Sequence, residues 1–379
     1  MTFAFLTPGR ILFGRGAAAE APARIAAMGR RILLVRGGSV QFADVLAEGL
    51  RAAGAAVLEL RGQGEPDLSG LEAALAEARP FAPDAVAAIG GGSVLDLGKA
   101  LAALVPSDRP PLDHLEVVGQ GLPLCAPPLP LAALPTTAGT GSEATKNAVI
   151  GVPAHGRKVS LRDDRLIPAL ALVDPALTDG CPWPVTLASG LDAVTQVIEP
   201  YLSLRANPLT DALCRDAIPR GLAALVRLRQ AEDPAARDAL ALVSLIGGIA
   251  LANAGLGAVH GLAGVIGGRY AAPHGAICGR LLTPTLRENR AALAAEGQPV
   301  ARFDEVAGWI AGALGCAPGD AFRQLSDWID AAGLPRLADL CEGPLDAVAL
   351  ARAASGSSSM KANPAALSPE ALARIVMAG

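Results

Sequence analysis

The sequence predicts an α/β domain built on a parallel sheet, followed by an all-α helical domain. Three observations predict it. First, 379 residues exceed the usual size of one domain, so two cores are expected. Second, the first half alternates short apolar runs with helical periodicity, a β-α-β order that implies a helix-covered parallel sheet. Third, strand signals vanish beyond Pro175, where Ala- and Leu-rich helical stretches take over. The boundary is placed at 177/178, giving domains 1–177 and 178–379.

Taken in order, FGRGAAAEAPARIAAMG within residues 1–30 reads as a glycine-containing turn entering a short helix. Arg31–Arg36 (RILLVR) is a buried strand by its continuous apolar run. Gly37-Gly38-Ser39 turns the chain into a helix around 43–53, and Ala55–Leu60 is the next strand. Leu68–Ala78 has helical spacing. Asp84–Ile89 is a third strand, running directly into Gly90-Gly91-Gly92-Ser93 and a helix from about Val94 to Leu104. Residues 105–130 are Pro-rich connection. Leu131–Leu134 is a short strand leading to the polar loop PTTAGTGS (Pro135–Ser142). Residues 148–152 and 158–161 suit a hairpin around Pro153–Gly156, and Leu170–Val173 is the last strand.

Composition narrows the function. Hydrophobic residues make up 51% and mean hydropathy is +0.39, which suits a large buried core and argues against disorder. A net charge of −4 with no basic block disfavours nucleic acid as a partner. The six cysteines are scattered without a CxxC, which reads as a reduced, cytoplasmic protein with inert buried thiols. The N-terminal MTFAFLTPGRILFG shows no secretory pattern. Ala241–Gly268 contains no Asp, Glu, Lys or Arg and is long enough to cross a bilayer. Its glycines, Asn253 and His260 make it read instead as central core helices, with no membrane partner expected. Lysine is scarce (Lys99, Lys146, Lys158 and Lys361) beside abundant arginine.

Two loops suit a cofactor. A glycine triplet between strand and helix presents backbone N–H groups at a helix N-terminus, where an anionic pyrophosphate binds. Gly91, Gly92 and Ser93 meet that condition, although GxGxxG is absent and a tight turn without a ligand is the plainer alternative. Asp96 and Lys99 lie on the first turns of the following helix and face the same crevice, unless they form only a solvated i,i+3 ion pair. Thr136, Thr137, Thr140 and Ser142 offer hydroxyls to a ribose or nicotinamide, or are a polar surface turn. In the turn after the first strand, Gly38 and Ser39 sit where an acidic residue would select NAD. Arg36-Gly37-Gly38-Ser39 holds no acid, which leans toward tolerance of NADP.

The helical half concentrates candidate metal ligands. His260 and His274 lie in the Gly/Ala-rich stretch 253–282, and only His114 and His155 exist elsewhere. Small neighbours let backbone approach an ion or substrate, and neutral imidazole is a common transition-metal ligand. The alternative is two core histidines bonded to carbonyls. Asp192 stands in an apolar run and shares a helix face with Gln196 at i,i+4. A buried carboxylate needs a cation or donor, or else serves a helix N-terminus. Asp192, His260 and His274 together form a set that leaves positions open, the pattern of a catalytic metal.

Gly90–Lys99 (GGGSVLDLGK), Pro135–Thr145 (PTTAGTGSEAT), Val173–Thr178 (VDPALT), Gly190–Glu199 (GLDAVTQVIE), Gly257–Gly261 (GAVHG), Pro273–Gly275 (PHG) and Asn363-Pro364 appear in this order. This series resembles the iron-containing (group III) alcohol dehydrogenases over nearly the whole chain. The resemblance implies a dinucleotide-binding domain, a helical metal domain and an active site in the cleft between them. It also implies NAD or NADP and a divalent metal, iron or zinc. By the resemblance the metal ligands fall on Asp192, Gln196, His260 and His274, with Asp192, His260 and His274 catalytic. Asp96, Thr136, Thr137 and Lys158 complete the cofactor contacts. Gln196 departs from the usual histidine, and Gly264 stands where the family often has a second histidine four residues after His260. A proton would then leave through the ribose hydroxyl and water. The expected reaction is hydride transfer between an alcohol and an aldehyde or ketone, in a homodimer. Two alternatives share the architecture. One is metal-free reduction of an acidic enone or oxo acid, as in maleylacetate reductases, with Arg162, Arg165, Arg269 or Lys361 holding the carboxylate. The other is a dehydroquinate synthase-like lyase, disfavoured by a single lysine in the helical half. Pocket walls are expected from Tyr201, Asn253, Arg269, Tyr270 and the 355–363 loop.

Overall fold

The computed structural model describes residues 2–38, 40–62, 64–270 and 272–379. A six-stranded sheet runs in the order β1-β8-β5-β4-β2-β3. It comprises β1 (Arg10–Phe13), β2 (Arg31–Gly37), β3 (Ala56–Gly62), β4 (Ala85–Gly90), β5 (Leu131–Pro135) and β8 (Leu170–Val173), and every pairing is parallel. The antiparallel pair β6 (Asn147–Val152) and β7 (Arg157–Arg162) forms a separate two-stranded ribbon. Helices α1 (Ala21–Ala26), α2 (Phe42–Ala52), α3 (Leu68–Phe81), α4 (Gly92–Leu104) and α5 (Pro111–His114) complete this half. β2, β4, β5 and β8 are apolar almost throughout because a parallel sheet is covered on both faces. Val35 and Val86 pack on one face with α3 and α4, and Ile32 and Ala87 on the other with α2.

The chain leaves β2 for the edge strand β3 and then returns to β4 on the other side of β2. That reversal makes the carboxyl ends of β2 and β4 a topological switch point, where open α/β sheets bind ligands. One element was not expected from the sequence. β1, within the stretch read as a turn and short helix, pairs with β8, Arg10 opposite Leu170 and Phe13 opposite Val173. Its residues are largely exposed at the sheet edge, so no burial pattern marks it.

The rest is helical: α6 (Trp183–Leu202), α7 (Pro208–Gln230), α8 (Pro234–Ala254), α9 (Ala258–Tyr270), α10 (His274–Ala295), α11 (Ala301–Leu314), α12 (Ala321–Ala331), α13 (Leu337–Leu340), α14 (Ala347–Ser355) and α15 (Pro369–Ala378). Helix α8 is long and apolar enough to cross a membrane by length and composition, and it is mostly buried among protein. The uncharged run 241–268 is two helices, broken where Gly255 takes φ 75°, a backbone state that glycine adopts without a Cβ penalty. Contacts divide the chain into two units. One holds Leu6–Thr137 and Gly141–Asp179. The other holds Gly180–Gly379 together with Ala138–Thr140 and the N-terminal residues through Phe5.

Candidate metal centre and nucleotide loops

Three helices of the second unit carry the candidate metal ligands. On α6, Asp192, Gln196 and Glu199 recur at i, i+4 and i+7 and so share one face. Helix α9 contributes His260 from its first turn, and α10 opens on His274, with Cys278 one turn further along the same face. Helix α10 packs on both α6 and α9. The approach to α6 is close, because a Cβ on Gly275 would stand 2.5 Å from the Ala188 carbonyl oxygen. The small residues flanking the histidines therefore let helices approach one another.

The start of α9 is held by two side chains. Glu199 Oε1 accepts from the Val259 N–H at 2.7 Å, and Asn363 Oδ1 accepts from the Ala258 N–H at 3.0 Å. These are donors that the helix itself leaves unpaired. The second oxygen of Glu199 lies 2.6 Å from His260 Nδ1. A carboxylate only accepts, so Nδ1 carries the proton and Nε2 faces inward. Asn363 is itself locked by Asn289 and the Ala365 carbonyl.

His260 Nε2 stands 3.3 Å from Asp192 Oδ1, and His274 Nε2 4.0 Å from the same oxygen. One ligand atom each from Asp192, His260, His274 and Cys278 lies within 4.8 Å of the others. Gln196 donates its amide N–H to the Gly139 carbonyl at 2.9 Å. Asp192 Oδ1, His260 Nε2 and Gln196 Oε1 are all buried without a hydrogen-bond partner. Orphaned polar atoms in native interiors are few and costly, so the convergence of the Asp192 and His260 atoms with His274 and Cys278 fits a divalent cation. The electrostatics agree. Burial works against ionisation of Asp192, but the imidazoles of His260 and His274, with Cys278, hold its carboxyl below the usual range. Burial likewise opposes a charge on His274, yet Cys278 and Asp192 hold it up to about 9. His260 is raised in the same way, against burial, by Cys278, Glu199 and Asp192. The cluster favours a positive charge.

In the first unit, α4 begins at the switch point with Gly91 as its N-cap and no side-chain cap, leaving the first backbone N–H groups of the helix for an anion. Gly91 neighbours Thr137, and the Thr136 N–H donates to the Gly90 carbonyl at 2.9 Å. Gly38 is exposed with open space around its Cα. Ser39 lies outside the described residues. Asp96 and Lys99 are more than a solvated ion pair. Ser142 Oγ donates to Asp96 at 2.6 Å, and the fully buried Lys99 ammonium donates to Ser142 Oγ at 2.8 Å, Thr145 Oγ1 at 2.6 Å and the Asn147 carbonyl at 3.0 Å. This network fastens the 142–147 segment to α4. Thr140 is counted with the helical unit. Lys158 pairs with Glu65.

The decisive observation is a family match over both halves. Residues 8–175 match the model for iron-containing alcohol dehydrogenase, and residues 186–378 match that for the C-terminal domain of the same family. The chain belongs to the iron-containing alcohol dehydrogenase family. It is 41% identical over 226 residues to a probable alcohol dehydrogenase, EutG, of Escherichia coli, covering 59% of this chain and 56% of that protein. It is 33% identical over 296 residues to an NAD-dependent methanol dehydrogenase of Bacillus methanolicus, covering 75% and 74%. The chain thus spans just over half the length of the EutG relative and about three quarters of the methanol dehydrogenase. Among solved structures, a 1,3-propanediol oxidoreductase superposes with a TM-score of 0.88 at 29% identity, covering 100% of this chain and 99% of that one. An alcohol dehydrogenase from Oenococcus oeni gives 0.87 at 28% identity, covering 99% of each.

Several expectations need correction within this family frame. Cys278 joins the cluster, Cys125 is exposed, and Cys181 and Cys316 are partly so; only Cys214 and Cys341 fit the reading of inert buried thiols. Tyr201 is no pocket wall. It is fully buried, edge-on to Trp309, with its hydroxyl bonded to Glu305. Beside the acid-free turn after β2, Arg36 pairs with Asp44 and Glu59. Three candidates for an acidic substrate are engaged elsewhere. Arg162 pairs with Glu116, Arg165 with Asp163, and Arg269 stacks on Tyr270. The sequence reading missed Cys278, whose i+4 spacing from His274 was the available signal, and Glu199, which lies seven residues from Asp192.

Proposed function

We propose that this protein interconverts an alcohol and its aldehyde or ketone, using a nicotinamide cofactor and a divalent cation. The observation that carries this reading is the convergence of the unpartnered Asp192 Oδ1 and His260 Nε2 with His274 in one buried cluster. Asp192, His260 and His274 would hold the cation. When bound, the cation supplies Lewis-acid polarisation of the substrate oxygen, and the nicotinamide accepts or returns the hydride. Asp192 supplies negative charge beside the cation. Glu199 fixes the tautomer and angle of His260. The backbone N–H groups of Gly92 and Ser93 would bind the cofactor pyrophosphate, with Gly91 as the cap of their helix. Thr136, Thr137, Asp96, Ser142 and Lys158 would contact the nucleotide, with Gly38 beside the ribose. NAD is favoured over NADP, because the carboxylates of Asp44 and Glu59 already balance Arg36 and would repel a ribose phosphate.

A homodimer in the cytoplasm, acting on small alcohols and aldehydes and binding neither nucleic acid nor membrane, fits the net charge of −4 and the family. The test is metal analysis of the pure protein, coupled to NADH and NADPH oxidation with a panel of aldehydes. Chelation is expected to abolish turnover and added iron or zinc to restore it. His260→Ala is expected to lower kcat/KM at least about a hundredfold, in line with the loss of a Lewis acid worth several kcal/mol. Turnover that survives chelation would instead favour the metal-free reductase.

A further inference from the structure

Cys278 is a buried thiol that the reaction described above does not use, and its surroundings are those of a ligand. Its Sγ lies 3.5 Å from His274 Nε2 and within 4.8 Å of the ligand atoms of Asp192 and His260. Zinc binds sulfur at about 2.3 Å and imidazole nitrogen at about 2.0–2.1 Å in tetrahedral sites. At the tetrahedral angle, those bond lengths place a sulfur and a nitrogen about 3.5 Å apart, and a nitrogen and an oxygen about 3.3–3.4 Å apart. The first value matches the Cys278–His274 separation. The second matches the 3.3 Å between His260 Nε2 and Asp192 Oδ1. Two edges of a tetrahedron are therefore already laid out, and two of its corners, Asp192 Oδ1 and His260 Nε2, are buried and unpartnered.

Gln196 is the competitor for the fourth corner. Its amide nitrogen is committed to the Gly139 carbonyl, and its free oxygen is a neutral, weak donor. A thiolate is anionic and soft. With Asp192 it brings two negative charges to a divalent cation in a buried site, where an uncompensated charge is costly.

We propose that Cys278 is the fourth protein ligand of the cation, giving an Asp192–His260–His274–Cys278 site that prefers zinc to iron, leaves the Gln196 amide outside the inner set and takes the substrate oxygen as a fifth ligand by expanding its coordination. The inference rests on the metal-dependent reading of the cluster and adds the sulfur to it. The helical placement supports it, since Cys278 projects from the same face of α10 as His274, one turn on.

The test uses the full-length protein, stripped with a chelator and reloaded anaerobically with Co(II). Wild-type protein is expected to show visible d–d bands of tetrahedral cobalt together with a near-ultraviolet sulfur-to-cobalt charge-transfer band. Cys278→Ser should lose the near-ultraviolet band while keeping visible bands, and Gln196→Ala should keep both. A second measurement needs no variant: X-ray absorption of the zinc-loaded wild type should show one sulfur at about 2.3 Å. Visible bands with no charge transfer, and a zinc shell of nitrogen and oxygen alone, would overturn the sulfur ligand and leave the metal-dependent reaction standing. If neither metal binds the wild type, both readings fall.

Discussion

At the scale of single residues, the site depends on side chains that never touch the substrate. Glu199 uses one oxygen to cap α9 and the other to hold His260 Nδ1. It is a positioning residue. Partners of this kind are worth about 10–100-fold in metal affinity or activity when removed. Glu199→Gln is therefore expected to weaken zinc binding by about that factor, read by competition with a chromophoric chelator, while the far-ultraviolet circular dichroism stays that of the wild type. Asp192, His260 and His274 were legible in the sequence because charged and imidazole groups are rare in so apolar a stretch. Glu199 and Cys278 were less so. Each is visible only once the helix face it occupies is known, and scattered cysteines without CxxC suggested bystanders. The role of Tyr201 was misread for the converse reason. An aromatic ring four or more residues past the ligands invites a place in the pocket, yet it fills the core beside Trp309.

At the scale of elements, two glycines on neighbouring helices make opposite predictions. Gly275 sits where α10 meets α6, and a Cβ there would lie 2.5 Å from the Ala188 carbonyl oxygen and 2.9 Å from its carbon. Backbone cannot yield as a side chain can, so Gly275→Ala must push α10 away and carry His274 with it. The expected cost is about 1–3 kcal/mol in unfolding free energy, together with weakened metal binding. Gly264, on α9, has nothing within 4 Å of its added Cβ. Gly264→Ala should be stabilising or neutral, by up to about 1 kcal/mol, through helix propensity alone. Denaturant melts of both variants check the pair, and equal destabilisation would contradict the packing described. Most other elements were readable because their periodicity is local: the buried strands as continuous apolar runs, α4 as the helix that follows a glycine triplet. β1 was not, since its largely exposed residues acquire their strand identity only from pairing with β8.

At the scale of the whole molecule, the sheet-bearing unit stores a pH dependence. Burial pushes Glu143 up to about 7, against its backbone hydrogen bond and Lys99, and pushes the Lys99 ammonium down to about 8, against Asp96 and Glu143. A carboxyl raised in the folded state binds a proton that the unfolded chain has released. Its contribution is complete below an ordinary glutamate value near 4.5 and is lost as pH rises through about 7. Lys99 acts in a higher window: between about 8 and its ordinary value of 10.5 the unfolded chain holds more protons, so stability recovers with pH. Glu143→Gln removes the first effect. The wild-type unfolding free energy is expected to fall relative to that of the variant between pH 5 and pH 7.5, by on the order of 2 kcal/mol, read by calorimetry across that range. A pH-independent difference would contradict the buried carboxyl.

The pairing of β1 with β8 also bears on how the chain is made. Strand β5 meets β8 on its outer side, and β8 in turn meets β1. A ribosome releases β1 before β8 and must add some 160 residues before its partner exists, a long loop to close by any estimate of chain entropy. Until then the nascent sheet carries an unprotected flank on β5, the kind of surface that recruits other chains. A fragment ending before Leu170 is therefore expected to associate through that open edge more readily than one that also carries β8.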